Sequence, residues 1–166
     1  MLVVPRLSAA RSVREAARQY GDDAKDEYRD SLAALNDDEL PGWVEALLAD
    51  TRELARRPVG HVPSTHLWWV DGERFLGRVQ LRHRLSPFLR QLGGHIGYHV
   101  IPPARRQGHG TAMLAAALPV AAELGLECVL VTCDVTNRGS RRIIEANGGL
   151  LQDQREGKLR FWVPTG

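Results

Sequence analysis

The sequence lacks a long hydrophobic run, which excludes a membrane-spanning helix from the prediction. None of its apolar stretches approaches the roughly 18 uninterrupted residues that a bilayer span requires. The amino terminus also lacks a charged segment followed by an apolar core, the pattern that is typical of a signal peptide. We therefore expect a soluble cytoplasmic protein without a membrane partner.

Cysteine is also scarce, because the chain contains only Cys128 and Cys133. Both lie in one apolar run that predicts a strand, and at this spacing their side chains would point to opposite faces of a sheet. We expect no disulfide bond between them, which fits a reducing cytoplasm.

Net charge is low as well, at +2, and gives no reason to expect a nucleic-acid partner. The charges are unevenly distributed, since acidic residues dominate positions 22–39 and arginines dominate positions 52–90. An acidic stretch is usually a solvated helix face, but it can also attract a cationic substrate.

The pattern of apolar residues predicts one domain of mixed helices and strands. A chain of 166 residues is too short for two sizeable cores, so residues 1–166 are expected to form a single domain. The predicted order is a strand, two helices, three antiparallel strands, a helix, a strand, a helix and two strands, which mixes antiparallel and parallel pairing in one sheet. These elements are predicted at residues 2–7, 8–20, 41–56, 67–70, 75–83, 94–100, 111–124, 128–133, 137–146, 150–151 and 159–163.

Local signals refine the first elements. Ser8 is the expected N-cap of the first helix. A hairpin turn is predicted at residues 71–74, where the sequence reads Asp-Gly-Glu-Arg. The second helix is expected to bury Trp43, Leu47, Leu48 and Leu54.

The chemically informative segment is residues 100–111, where a strand ends, a basic glycine-containing loop follows and a long helix begins. Unpaired N–H groups at a helix start and the helix dipole favour an anion there. Gly108 and Gly110 let the backbone approach a phosphate closely, and Arg105 and Arg106 add positive charge. The segment therefore predicts a pyrophosphate site.

Two other nucleotide-binding motifs fit this segment poorly. A P-loop requires Gly-Lys-Ser/Thr, but Gly110 is followed by Thr111 and Ala112. A dinucleotide-binding fingerprint requires a third glycine at the position of Met113. A nucleotide-binding protein is therefore the remote alternative.

Two motifs together resemble the GNAT superfamily of N-acyltransferases, over about residues 66–163. The first is similar to the acyl-CoA loop of that superfamily and reads Tyr98-x-Val100-x-Pro102, then Arg105-x-x-Gly108-x-Gly110. The second is similar to its Asn-x-x-Ala/Ser segment with a glycine-rich end and reads Asn137-x-x-Ser140-x-x-x-x-Glu145-x-x-Gly148-Gly149.

This resemblance implies an α/β (α+β) fold: a mixed, mostly antiparallel central sheet of about six or seven strands, helices on both faces, and a splayed parallel strand pair that binds the cofactor. It implies an acetyl-CoA-dependent N-acetyltransferase that moves an acetyl group to a primary amine by direct attack in a ternary complex. Coenzyme A is then the carrier of the co-substrate, and no metal is required. Dimers are common in the superfamily, so a homodimer is one option.

The resemblance also implies the cofactor contacts. The strand ending at Val100 would splay from the strand at residues 128–133, and the freed backbone groups would bind the pantetheine arm. The loop would hold the pyrophosphate through backbone N–H groups, while Asn137, also the expected N-cap of its helix, would hydrogen-bond the arm beside Ser140. The expected cofactor-binding residues are Val100, Arg105, Arg106, Gln107, Gly108, His109, Gly110, Thr111, Asn137 and Ser140.

The expected catalytic centre departs from the pattern of relatives at two positions. Many relatives have a glutamate base before the Gly-Tyr pair of this strand, where this chain has His95, whose imidazole can also act as a base. Many have a tyrosine acid in the last helix, where this chain has Ile144, so Tyr98 or water would protonate the departing thiolate. Cys133 is expected to be a buried thiol rather than a nucleophile.

The sequence leaves the acceptor open. The acidic residues favour a small cationic amine, such as a polyamine-like or aminoglycoside-like molecule, over a free amino acid or a protein amine. The departures at His95 and Ile144 favour a second class of function, a non-catalytic acyl-CoA sensor or partner-binding domain with the same fold. No metal site is expected, because about 13 Å would separate His95 from His99 on one strand.

Overall fold

The computed structural model describes residues 1–19, 32–53 and 60–166. Within these ranges the chain forms one seven-stranded sheet, whose strands are β1 (Leu2–Val3), β2 (Ser64–Asp71), β3 (Arg74–Arg82), β4 (Ile96–Val100), β5 (Cys128–Asp134), β6 (Leu150–Arg155) and β7 (Lys158–Pro164). Their spatial order is β1-β2-β3-β4-β5-β7-β6. The β4–β5 pair is parallel and the other pairs are antiparallel, which confirms the mixed, mostly antiparallel sheet expected from the sequence.

Helices cover both faces of this sheet. Helices α1 (Leu7–Gln19) and α2 (Leu40–Ala49) pack on one face, while α3 (His109–Glu123) and α4 (Arg138–Ala146) pack on the other. This arrangement agrees with the predicted order of elements. No helix within the described ranges is long and apolar enough to cross a bilayer.

The sheet divides the apolar core into two parts. On the α3 side, Val79 and Leu81 of β3 pack with Met113. On the α1 and α2 side, the ring of Trp68 stacks on that of Trp43 with centroids 5.5 Å apart. Because side chains alternate along a strand, the successive residues Leu67 and Trp68 of β2 enter opposite cores.

Helix α1 begins one residue before Ser8, which the sequence indicates as its N-cap. The predicted N-cap, Ser8, lies inside the first turn, because the helix begins at Leu7. The carbonyl of Arg6 already accepts the N–H of Ala9 at 3.1 Å, as a capping residue's carbonyl does. The Ser8 prediction is therefore wrong, and the predicted helix end at Tyr20 lies outside the described residues.

Helix α2 is shorter than predicted and turns a narrower face inward. Its buried residues are Leu40, Val44 and Leu47. Leu48 is 44% exposed, so its predicted burial is wrong, because it lies about 100° around the helix axis from Leu47. Trp43 is partly buried, and Leu54 lies outside the described residues.

The predicted hairpin and strand alternation are confirmed. Gly72 sits at the β2–β3 turn with a φ of +59°, which a glycine adopts without strain. Cys128 is exposed and Cys133 is buried, as expected for residues on opposite faces of β5, and both thiols are free.

Strands β4 and β5 diverge after one parallel contact. Ile96 pairs with Val131, and the rest of β4 pairs only with β3 among the described strands. The rest of β5 pairs with β7. The divergence confirms the predicted splayed pair, and it leaves backbone groups on the facing strand edges without partners in the sheet.

Candidate functional site

A cleft of about 620 Å³ lies where β4 and β5 diverge, beside the amino-terminal ends of α3 and α4. Strand β4 contributes Tyr98 and His99 to its wall, and α4 contributes Gly139 and Ile143. The two sequence motifs therefore meet in one place. Of the predicted cofactor-binding residues, the cleft brings together Val100, Arg105, Arg106, Gly108, Gly110, Thr111, Asn137 and Ser140.

Two predicted loop residues, Gln107 and His109, are not among those that line the cleft. The side chain of Gln107 donates to the carbonyl of Pro103 at 2.8 Å. The Nδ1 atom of His109 accepts a hydrogen bond from the indole of Trp69 at 3.2 Å. Both side chains are engaged by neighbouring protein groups. Gln107 and His109 would therefore contact a ligand through their backbone N–H groups.

The start of α3 presents a row of unpaired backbone donors. The N–H of Ala112 bonds the carbonyl of Gly108 at 3.1 Å. Before it, the N–H groups from Arg106 to Thr111 have no hydrogen-bond acceptor within the described part of the chain. Gly108 has a φ of +83°, and a Cβ added to it would have no atom within 4 Å. Such an open row of donors at the positive end of a helix suits phosphate oxygens.

Gly110 allows close packing rather than an unusual backbone conformation. A Cβ on Gly110 would lie 2.5 Å from Cδ1 of Ile143 in α4. Its φ is not in the left-handed region, which Gly108 occupies. The absence of a side chain at Gly110 therefore lets the first turn of α3 contact α4 at the wall of the cleft.

The two loop arginines are exposed but differ in their contacts. Arg105 folds back onto β4, where its Nε donates to the carbonyl of Val100 at 2.9 Å and its Nη2 to Nε2 of His99 at 3.2 Å. Arg106 has a φ of +61°, a left-handed conformation that costs a non-glycine residue about 1 kcal/mol. Together they place positive charge at the cleft.

Asn137 is the N-cap of α4, which confirms the cap predicted from the sequence. Its Oδ1 accepts the N–H of Ser140 at 3.0 Å. This bond uses the oxygen of the amide, so the Nδ2 group remains as a donor at the cleft. One side chain can therefore cap the helix and bind a ligand.

Tyr98 and Ser140 form a hydrogen-bonded pair at the wall of the cleft, near the buried thiol of Cys133. The Tyr98 hydroxyl lies 2.7 Å from the Ser140 hydroxyl and donates to the Ser140 carbonyl at 3.3 Å. Burial raises the pKa of Tyr98 to about 12. Burial also raises the pKa of the Cys133 thiol, against the opposing effect of its hydrogen bond with Ser140. The phenol and the thiol therefore stay protonated at neutral pH.

His95 does not line the cleft and is 6% exposed, with its ring 6.2 Å from that of Trp162. Its Nδ1 accepts the N–H of Leu130 at 2.9 Å. Burial, together with the charges of Arg90 and Arg82, lowers its pKa to about 4. The imidazole is therefore neutral at pH 7, with its proton on Nε2 and the lone pair of Nδ1 engaged. A base role would require the bond to Leu130 to break.

Sequence reasoning missed His99, Gly139 and Ile143 in the cleft. Tyr98 and His99 point to opposite faces of β4, and both reach one cleft because the strand has no neighbour on that side. Ile143 could have been found from helical spacing, since it follows Ser140 by one turn. Ile144 is fully buried in the core, so it offers the cleft no polar group.

Solved structures with this fold are similar over nearly the whole chain but distant in sequence. RimJ of Mycobacterium smegmatis, in complex with CoA-disulfide, has a TM-score of 0.70 and 17% identity, over 98% of this chain and 80% of that one. The microcin C7 self-immunity acetyltransferase MccE, in complex with acetyl-CoA and AMP, has a TM-score of 0.68 and 14% identity, over 98% of this chain and 91% of that one. YncA of Salmonella typhimurium, with its cofactor acetyl-CoA, has a TM-score of 0.64 and 12% identity, over 100% and 94%.

These structural similarities establish the fold alone, whereas a match to a protein-family model identifies the family. No curated protein matches the sequence. A family model described as the acetyltransferase (GNAT) domain matches residues 14–149, a range that contains the loop, the splayed strands and α4. Because this match covers most of the chain, the protein belongs to the GNAT acetyltransferase family.

Proposed function

We propose that this protein is an acetyl-CoA-dependent N-acetyltransferase that acts on a primary amine. The observation that carries the proposal is the meeting, in one cleft, of the unpaired N–H groups from Arg106 to Thr111 with the gap between β4 and β5. The N–H groups suit a pyrophosphate, and the unpaired strand edges suit the amide groups of a pantetheine arm.

The residues present fit coenzyme A in charge and hydrogen bonding. Arg105 and Arg106 supply positive charge, and the open space above Gly108 leaves room for phosphate oxygens. The Nδ2 group of Asn137 is proposed to donate to a carbonyl of the arm, with Ser140 beside it. The structural neighbours with acetyl-CoA or CoA-disulfide in their complexes support the same cofactor for this chain. Within the described ranges, no group of three or more His, Cys, Asp or Glu side chains could hold a metal ion.

Acetyl-CoA, when bound, supplies an acetyl group that is activated as a thioester. The protein must admit an unprotonated amine, hold the carbonyl oxygen and protonate the leaving sulfur. Tyr98 is the proposed acid, because its hydroxyl lies at the cleft and stays protonated. A backbone N–H near Val100, on the unpaired edge of β4, is the proposed donor to the carbonyl oxygen. His95 is proposed to position the strands, and its role as a base stays a prediction.

A cationic acceptor also stays a prediction, and Asp37 and Glu39 of the acidic stretch give it no direct support. Residues 22–31 of the acidic stretch lie outside the described ranges. Asp37 forms ion pairs with Arg11 and Arg14. Glu39 closes a capping box with Asn36. These two carboxylates therefore have local structural roles.

Two measurements test the proposed function. Calorimetric titration with coenzyme A, ATP and NAD should show binding of coenzyme A alone. Release of free thiol from acetyl-CoA should then depend on an added amine. Binding of coenzyme A without thiol release for any amine would favour the non-catalytic sensor, and preferential binding of ATP or NAD would favour the nucleotide-binding alternative.

A further inference from the structure

Strand β3 carries polar residues on one face although it lies in the interior of the sheet. It runs between β2 and β4, and Val79 and Leu81 are buried on the face that α3 covers. The alternate residues Arg78, Gln80 and Arg82 are partly buried on the opposite face. An interior strand covered by helices on both faces normally buries apolar residues on both, so this polar face indicates a function.

The neighbouring strands extend this polar surface. Register pairs Gln80 with His66 of β2 and with Gly97 of β4, and residues directly opposite each other share a face. The carboxylate of Asp50 contacts the surface at its β2 edge, 2.9 Å from Nε2 of His66. We call this surface the polar floor, and its members are His66, Arg78, Gln80, Arg82, Gly97 and His99.

The polar floor adjoins the cofactor cleft at His99. This residue lines the cleft, and its register partner on β3 is Arg78. Neighbouring strands lie about 5 Å apart. Strand β3, which carries Arg78, is therefore next to β4, which forms the wall of the cleft. A ligand that reaches the cleft from the α2 side of the sheet therefore contacts the floor.

Arg82 is fixed in place by neutral partners. Its guanidinium donates to the carbonyls of Gly93 at 3.2 Å and Gly94 at 3.3 Å, and to Oε1 of Gln80 at 3.2 Å. Among the residues that the structure describes, no carboxylate forms an ion pair with Arg82. The group lies against Gly97, since a Cβ there would be in ordinary contact with both terminal nitrogens at 3.6 Å. The guanidinium is therefore oriented and retains an uncompensated charge within these ranges.

Electrostatics on the floor favour a bound anion. Burial and the neighbouring charge of Arg82 lower the pKa of Arg78 to about 10, and burial lowers the pKa of Arg82. Both groups are charged at pH 7, and an oxyanion beside Arg82 would offset the lost hydration of its guanidinium. The same positive field lowers the pKa of a nearby ammonium group, which favours the unprotonated amine that acetyl transfer requires.

We propose that the acceptor is an amine that also carries an oxyanion, a carboxylate or a phosphate, which Arg82 holds on the polar floor. The idea depends on the proposed function, because it names the acceptor of the same cleft. Guanidinium groups suit both oxyanions, since their planar fork can donate two parallel hydrogen bonds. The expected charge preference is opposite to the one that the acidic residues 22–39 favour.

Wild-type protein is tested with matched acceptors that differ only in the oxyanion. The pairs are an α-amino acid with its carboxamide, and an amino alcohol with its phosphate ester, and a linear polyamine serves as the cationic comparison. We expect kcat/KM to be about tenfold to a hundredfold higher for the oxyanion member of a pair. The pair that responds identifies carboxylate or phosphate. Equal values within both pairs, or a preference for the polyamine, overturn the inference.

Substitution of Arg82 links this preference to the floor. Arg82→Gln should remove the preference for the oxyanion acceptor while coenzyme A affinity stays unchanged. Arg82→Lys should retain part of this preference, because lysine keeps the positive charge but lacks the planar pair of donors. Arg84→Gln is the matched control, since Arg84 lies just beyond β3, is exposed and pairs with Glu53. A folded Arg82→Gln protein that keeps the full preference contradicts the inference. If Arg82→Gln fails to fold, the comparison of matched acceptors with the wild-type protein still decides whether an oxyanion is preferred.

Failure of the transferase function gives a different result. Calorimetric binding of each acceptor to protein saturated with coenzyme A is measured in parallel with thiol release. Tighter binding of the oxyanion member without thiol release would disprove the transferase and support the ligand class. Thiol release without any preference would support the transferase and overturn the ligand class, and the absence of both signals would overturn both.

Discussion

The Nδ1 atom of His95 accepts the backbone N–H of Leu130 at 2.9 Å, and the N–H of His95 donates to the carbonyl of Leu130 at 2.6 Å. These two bonds lie next to the Ile96–Val131 pair, which is the point where β4 and β5 begin to diverge. The imidazole takes the place of a backbone acceptor there. His95 therefore ties the two strands together at the closed end of the gap.

Stability should fall steeply in mild acid because of this arrangement. The pKa of His95 is near 6.5 in the unfolded chain and about 4 in the folded protein. Protons therefore bind preferentially to the unfolded state between these two pH values. The contribution is complete above about pH 6.5 and is lost as the pH falls through 4, with a total on the order of 3 kcal/mol. Thermal unfolding measured from pH 7.5 to 4 checks this.

The variant His95→Asn provides the control for the pH dependence. Its side-chain oxygen can still accept the N–H of Leu130, but it does not titrate. The loss of melting temperature between pH 6.5 and 4 should therefore be smaller in His95→Asn than in the wild type. Parallel curves for the two proteins would show that other groups cause the acid sensitivity.

The same variant separates the positioning role of His95 from a base role. A general base contributes about 10²- to 10⁴-fold to the rate, so His95→Asn would lose that factor in kcat if the imidazole accepted the amine proton. Because Nδ1 is engaged by Leu130, we expect kcat to stay within about threefold of wild type, while His95→Ala should lose thermal stability. A hundredfold loss of kcat in folded His95→Asn would restore the base assignment.

The sequence predicted the cofactor side of the cleft better than the acceptor side. Strand ends, glycines and the Asn137 cap are local signals, because their chemistry depends on residues a few positions apart. The engagement of His95 by Leu130 joins residues that are distant in sequence, and no local pattern indicates it. The polar alternation of Arg78 to Arg82 was visible in the sequence, but its meaning depends on β3 being an interior strand.

Gly108 should be replaceable with little cost to the fold but a large cost to coenzyme A affinity. Gly108→Ala introduces a side chain at a φ of +83°, at a cost of about 1 kcal/mol, and places a methyl group in the space above the loop. Gly125→Ala is a matched control, because Gly125 has a φ of +81° and equally open space but is not a residue that lines the cleft. Both variants should lose similar thermal stability, and calorimetry should show affinity falling about tenfold or more in Gly108→Ala alone. Equal affinities in the two variants would remove the loop from the site.

Asn137 should show two separable contributions, one to stability and one to binding. Asn137→Ser keeps a capping oxygen but loses the amide donor, whereas Asn137→Ala loses both. We expect the alanine variant to be less stable by about 1 kcal/mol and the serine variant to be nearly unchanged. Coenzyme A affinity should fall about threefold to tenfold in both, as expected for one hydrogen bond. Wild-type affinity in Asn137→Ser would limit this residue to its capping role.

Tyr98 should affect turnover rather than cofactor binding. Tyr98→Phe removes the hydroxyl that is proposed to protonate the leaving sulfur, so kcat should fall about a hundredfold while the affinity for coenzyme A changes little. Ser140→Ala serves as the control, because it removes the hydroxyl partner at 2.7 Å but leaves the phenol in place. Since the pKa of Tyr98 is about 12, ionisation of the phenol should cause no loss of rate up to about pH 10.5 in the wild type. The pH dependence of kcat for the three proteins measures this directly. A normal kcat in Tyr98→Phe would leave water as the proton donor, since Ile144 has no proton to give.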